Sequence, residues 1–308
     1  MTTSKLSRRT ALVAGLSTVL FPHVAWPQST ERDVEGGIGG TGIVGILTDF
    51  GSLIVSGNLL QTDGSTRFSD GFGQINESDL KIGDSLTIEA AGPPEALLAK
   101  RVHVTHPLVG KVSAQSQDGL ELVVNGVTCR LENPAADIGV GDRVAVSGLW
   151  RGRMVIASRV SRTRSPRDLI SGDVQISFGR VRIGPVNMRG PGMSGLVDGS
   201  FATAIGRFEP TQARFVAESL TATRFVGAAG ALAQLSIEGY LDPVAAAPGY
   251  RVAGLGHSFA RNLQLDRYED TRVLFNGPYT GRFAANRAVV LPERFQARRS
   301  LLATLSKS

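Results

Sequence analysis

Apolar and polar residues alternate along this chain in short runs of period two, interrupted by Gly, Asp, Asn or Pro. Gly141-Asp142-Arg143-Val144-Ala145-Val146-Ser147-Gly148, a short turn, then Met154-Val155-Ile156-Ala157-Ser158-Arg159-Val160 shows the unit most clearly. It reads as a Gly-Asp turn, an alternating strand, a tight hairpin and a second alternating strand. The unit recurs. Gly148-Leu149-Trp150-Arg151-Gly152-Arg153-Met154 superposes without a gap on Gly277-Pro278-Tyr279-Thr280-Gly281-Arg282-Phe283, and upstream Gly110 falls on Gly239 at the same offset (277 − 148 = 239 − 110 = 129). Gly83-Asp84 with Leu97-Leu98-Ala99-Lys100-Arg101-Val102 gives another copy, and Gly199-Ser200 with Phe215-Val216-Ala217-Glu218-Ser219-Leu220 a third, more eroded one. Ahead of each pair runs a further strand ending in Gly, at Gly57, Gly126, Gly184 and Gly256.

Self-similarity of this kind marks a repeat architecture. The units are expected at 41–107, 108–165, 166–225 and 226–294, with a tail at 295–308. Each packs about five short strands into roughly 60 residues, near the lower limit for a domain that folds alone. With glycines at the bends and no crossover helix, the prediction is an all-β chain of tandem small five-stranded barrels. Their strand order would be that of an oligonucleotide/oligosaccharide-binding (OB-like) or an SH3-like barrel. Closure removes the strand edges that would otherwise template aggregation. The 37 glycines and the 19% of charged residues among 308 agree with strands and turns rather than helices. The Gly-Asp pair suits a turn in which Gly supplies positive φ and Asp binds nearby backbone.

Residues 1–28 read as a targeting segment, since Ser7-Arg8-Arg9-Thr10-Ala11-Leu12 followed by a modestly apolar stretch resembles a twin-arginine export signal. That places the protein in the periplasm, cleaved or held by an uncleaved signal. Without Lys5, Arg8 and Arg9 the net charge of +6 falls to 6 − 3 = +3, which removes most of the support for nucleic-acid binding. A Gly-rich leader, 29–40, contains Gly37-x-Gly39-x-x-Gly42, the spacing of a dinucleotide fingerprint. A phosphate cradle needs a strand before the glycines and a helix after them. Here the strand-like Ile43-Val44-Gly45-Ile46-Leu47 follows, so the leader is read as a spacer.

Other candidate chemistry is sparse, and the sequence assigns no catalytic residue, metal or cofactor. Cys129 is the only cysteine and reads as a small core residue. Asp63, Asp70, Asn76, Glu77 and Asp79 do not follow a calcium-loop spacing and read as turn residues. His103 and His106 are expected on opposite faces, His103 outward. Arg159, Arg162, Arg164 and Arg167 form the densest basic run of the mature chain, read as a solvated linker or a contact for an anionic envelope partner. Two residues after the Gly that ends the fourth strand, three units carry an aromatic: Trp150, Phe208 and Tyr279, with Pro94 in that place in the first. With Arg151, Arg153 and Arg282 beside them they could stack on a sugar or a partner; alternatively each ring plugs its own barrel. An enzymatic alternative would use a site between units near His257, with Asp266, Glu269 or Asp270.

The Gly-Asp strand pairs at 83–102 and 141–160, and the Gly-Ile-Gly-Gly-Thr-Gly leader, resemble the bacterial domain of unknown function 5666 family. The resemblance implies exported, tandem β-rich domains and brings no catalytic residues with it. The expected function is a non-enzymatic, exported repeat protein that binds or scaffolds a cell-envelope partner or ligand.

Overall fold

A computed structural model of the protein describes residues 39–305 apart from 51, 244–249, 253–262, 264 and 282. The first unit runs β1 (Gly40–Asp49), β2 (Leu53–Val55), β3 (Asn58–Gln61), β4 (Arg67–Asp70), β5 (Gly73–Gln74), β6 (Ser85–Ala91) and β7 (Leu97–Val104). The second contains β8 (Leu108–Gln115), β9 (Glu121–Val124), β10 (Val127–Leu131), β11 (Arg143–Arg151) and β12 (Met154–Arg162). The third contains β13 (Asp168–Ser177), β14 (Arg180–Ile183), β15 (Val186–Arg189), β16 (Phe201–Glu209) and β17 (Arg214–Thr221). The fourth shows β18 (Leu232–Pro243), β19 (Tyr250–Val252), β20 (Arg272–Pro278) and β21 (Arg287–Val290), and helix α1 (Phe295–Leu305) follows.

Units two and three are closed five-stranded barrels. In unit two β8 pairs with β9, β9 with β10, β10 with β12, β12 with β11 and β11 again with β8. Unit three repeats the cycle as β13-β14-β15-β17-β16-β13. In both, the third and fifth strands run parallel and all other neighbours antiparallel. This Greek-key order is that of the OB-like barrel, which decides between the two orders expected. Unit one has the same cycle, β1-β2-β3-β7-β6-β1, with β4 continuing along the edge of β7 beyond β3. In unit four the described strands give β19-β18-β20-β21.

The repeated glycines have repeated causes. Ser56-Gly57 and Asn125-Gly126 both have positive φ at each residue (52° and 74°, 51° and 72°), the two-residue turn that matches strand twist between second and third strands. Gly83 and Gly141 hold φ of 94° and 100° before the fourth strand, and the Asp after each accepts an N–H three residues back: Lys81 to Asp84 and Gly139 to Asp142. Unit four lacks this glycine, and Asp270 occupies the equivalent place with φ 57°.

The units are not separate beads. The first strands join them: β1 lies parallel to β18, and β8 meets β13. The apolar interiors of units two and three form one continuous core, which includes Trp150, while units one and four keep their own. The tail is an eleven-residue helix whose Leu302 is fully buried and whose Leu305 lies over Gly57 of unit one. Among the described residues no helix is long and apolar enough to cross a membrane.

Candidate functional site

Three anchors hold units one and four, and the tail, against the β10–β12 face of unit two. The Gly83-Asp84 turn of unit one is pinned by Arg159, which donates to Asp84 Oδ1 at 2.9 Å, and by the Ser158 hydroxyl, which donates to the Gly83 carbonyl at 2.6 Å. Arg151, last residue of β11, forks onto both carboxylate oxygens of Asp270 in unit four, at 2.6 and 2.5 Å. The first N–H of α1, at Phe295, donates to Glu132 Oε2 at 2.8 Å. Between the anchors lies a cleft of about 680 Å³. Its floor is apolar, from Leu131, Ile156, Val160 and Phe295, and its walls carry Arg130, Arg151, Arg159, Arg272, Arg294 and Arg298. Glu132, Asp137 and Glu293 are the acidic residues of the lining.

Beneath the cleft sits a buried charged cluster. Glu238 on β18 is 1% exposed; its Oε2 accepts the Ile46 N–H of unit one at 3.0 Å and its Oε1 accepts Arg272 Nε at 2.8 Å. Arg298 of α1 approaches the same Oε1 at 3.5 Å and donates Nη1 to the carbonyls of Pro292 and Glu293. Tyr240 donates to Glu293 Oε2 at 2.7 Å, and burial pushes its phenol well above the ordinary range, so it acts as a hydrogen-bond donor. A carboxylate removed from water this completely is stable only because cations and an N–H surround it.

The sequence-predicted contacts divide between this cleft and other places. Arg151 and Arg159 line it together. Trp150 does not: it is 6% exposed and its indole N–H donates to the Ser171 carbonyl at 2.7 Å, in unit three. A Cβ on Gly172 would stand 2.6 Å from Trp150 Nε1, and one on Gly184 would collide with the ring. Phe208 of unit three reciprocates, since a Cβ on Gly126 of unit two would lie 2.7 Å from its Cζ. Each ring therefore covers the second-to-third-strand turn of its neighbour, not the end of its own barrel as one reading expected. Tyr279 packs, partly buried, in the core of unit four and bridges to Phe283. Strand register also puts Gly92, not Pro94, in the equivalent place of unit one, because the bulge at Ala90 matches those at Gly148 and Gly206. Arg153 is exposed at the β11–β12 hairpin, whereas Arg282 and His257 lie outside the described residues.

The basic run is less of a linker than its composition suggested. Arg159 and Arg162 belong to β12, and each pairs with a Gly-Asp turn, Arg159 with Asp84 and Arg162 with Asp142 at 2.9 Å. Arg167 lies over the Phe72 ring at 5.8 Å, and Arg164 is exposed. Two of the four charges are thereby answered within the chain.

The remaining titratable candidates are structural. Burial pushes the Cys129 thiol up to about 12, which leaves it protonated and unreactive at neutral pH. His103 is half-buried rather than outward, with Nδ1 2.8 Å from the Ser69 hydroxyl; burial, then the nearby Arg101 and Arg224, hold its imidazole down at about 3. The acids between 63 and 79 bind the backbone of their own turns: Asp63 accepts from the Ser65 N–H, Asp70 from those of Phe72 and Gly73, and Asp79 from that of Asn76. Among the described residues no three His, Cys, Asp or Glu side chains gather where they could hold a metal ion.

The buried cluster stands apart from the sequence-predicted contacts. Its signal was present as single charges inside apolar strands, Glu238 after Leu235-Ser236-Ile237 and Arg272 before Val273-Leu274-Phe275, on strands that prove to be antiparallel neighbours. A charge inside a core run asks for an opposite one nearby. No curated protein and no solved structure matched the chain. Residues 41–103, the first barrel, match the family model described as Domain of unknown function (DUF5666).

Proposed function

We propose that the protein is a non-enzymatic binding protein of the cell envelope, and that it binds through the cleft between units one, two and four. The observation that carries this reading is the cleft itself. It has the volume of a small-molecule or peptide-segment site, with an apolar floor and convergent guanidiniums at its walls. Arg151, Arg159 and Arg272 are each held by a carboxylate outside the lining, Asp270, Asp84 and Glu238, and the described lining holds no histidine or cysteine to act as base or nucleophile. The twin-arginine-like Ser7–Leu12 segment supports the envelope as its place of work. Trp150 and Phe208 then serve as cement between units two and three.

The test is site-specific photo-crosslinking in envelope extract, with a benzophenone at Ile156 on the cleft floor or at Arg153 on the exposed hairpin. The reading predicts adducts from position 156 and background from 153. Adducts from 153 alone would overturn it in favour of the hairpin tips.

A further inference from the structure

Two of the arginines that line the cleft have hydrogen-bonding capacity that is not used up. Arg272 and Arg298 are each 2% exposed and both line the cleft. Arg272 spends Nε on Glu238, but its buried Nη2 has no hydrogen-bond partner. Arg298 spends Nη1 on two carbonyls, but its buried Nε has none, the 3.5 Å approach to Glu238 being too long for a hydrogen bond. Two cations share one carboxylate at this point.

A buried donor left without an acceptor is costly, and a charged donor more so. An anionic group in the cleft beside these two guanidiniums offsets the surplus positive charge that the single Glu238 carboxylate leaves, which a neutral ligand does not. The wider wall sets a limit on charge. The six lining arginines face Glu132, Asp137 and Glu293, and also Asp84, Asp270 and Glu238 as direct partners, so cations and anions balance at 6 − 6 = 0. A polyanion has no net field to attract it. The apolar strip of Leu131, Ile156 and Phe295 calls for hydrocarbon.

We propose that the cleft takes an amphiphile with a single carboxylate or phosphate headgroup, its oxygens set against the Arg272 and Arg298 guanidiniums and its chain lying along Leu131, Ile156 and Phe295. This inference rests on the cleft being the binding place. Isothermal titration of the full chain with decanoate, decyl phosphate, decyl maltoside and inorganic phosphate, all below micelle formation, tests both levels. The expected result is binding of both anionic alkyl probes at least tenfold tighter than the neutral maltoside or bare phosphate, with the ratio of decanoate to decyl phosphate reporting which headgroup is preferred. Arg298→Met should weaken the anionic probes about tenfold and leave the maltoside unchanged. Because that variant touches a buried cluster, Ile156→Trp on the half-buried floor is the second probe, expected to block all three alkyl ligands. Equal affinity for decanoate and maltoside, both abolished by Ile156→Trp, would overturn the headgroup assignment while leaving the cleft in place. Binding indifferent to Ile156→Trp would overturn the cleft itself, and no binding by either anionic alkyl probe would overturn the inference.

Discussion

Trp150→Ala lowers the free energy of unfolding by about 3–5 kcal/mol, the range for removing a large buried aromatic side chain. The loss has two parts. The indole leaves a cavity in the core shared by units two and three, and the Ser171 carbonyl loses the hydrogen bond it accepts at 2.7 Å. The backbone around the site cannot collapse to fill the gap, since Gly172 and Gly184 lack side chains because the ring occupies their space. Urea denaturation followed by far-ultraviolet circular dichroism measures the effect. Phe208→Ala removes the reciprocal contact on Gly126 and should cost less, because Phe208 is only partly buried. A Trp150→Ala chain with unchanged stability would mean that the ring does not join the two barrels.

Glu238→Gln should be comparably damaging, by about 3–5 kcal/mol, for a different reason: removing one partner of a buried ion pair leaves the other charge uncompensated. Here two cations, Arg272 and Arg298, depend on the one carboxylate, and the Ile46 N–H of unit one depends on its second oxygen. The glutamine keeps the shape, so what is lost is charge rather than volume. Adding Arg298→Met to Glu238→Gln should destabilise by less than the sum of the two single changes, because the double variant carries one fewer buried cation. Thermal or urea melts of the four proteins give that cycle. Strict additivity would show that Arg298 does not share the Glu238 carboxylate.

Most of the fold was legible because period-two alternation and turn glycines are local signals. The glycines at 57 and 126 mark two-residue turns, those at 83 and 141 precede fourth strands, and the 129-residue offset sets unit four on unit two. Strand order was not legible, since the parallel pairing of β10 with β12 is decided by how the ring closes and not by either strand's own pattern. Gly148 and Gly206 do not end the fourth strand as the spacing suggested but stand at bulges within β11 and β16, so Trp150 and Phe208 still belong to those strands. Sequence spacing places Trp150 two residues beyond Gly148, but only packing between units shows that the tip of one barrel is the lid of the next. The cleft was harder still. It is assembled from three units and a helix, so its arginines are scattered from 130 to 298, and no window along the chain contains more than a part of it.

Trp150 and Phe208 bind barrel to barrel, which leaves the cleft as the open site. Fluorescence of a Trp26→Phe chain, in which Trp150 is the sole indole, measures this directly. A ring sealed between the two barrels gives blue-shifted emission and strong protection from acrylamide, both lost together in urea. Emission of a solvated indole, quenched in the native protein as readily as free tryptophan, would contradict it.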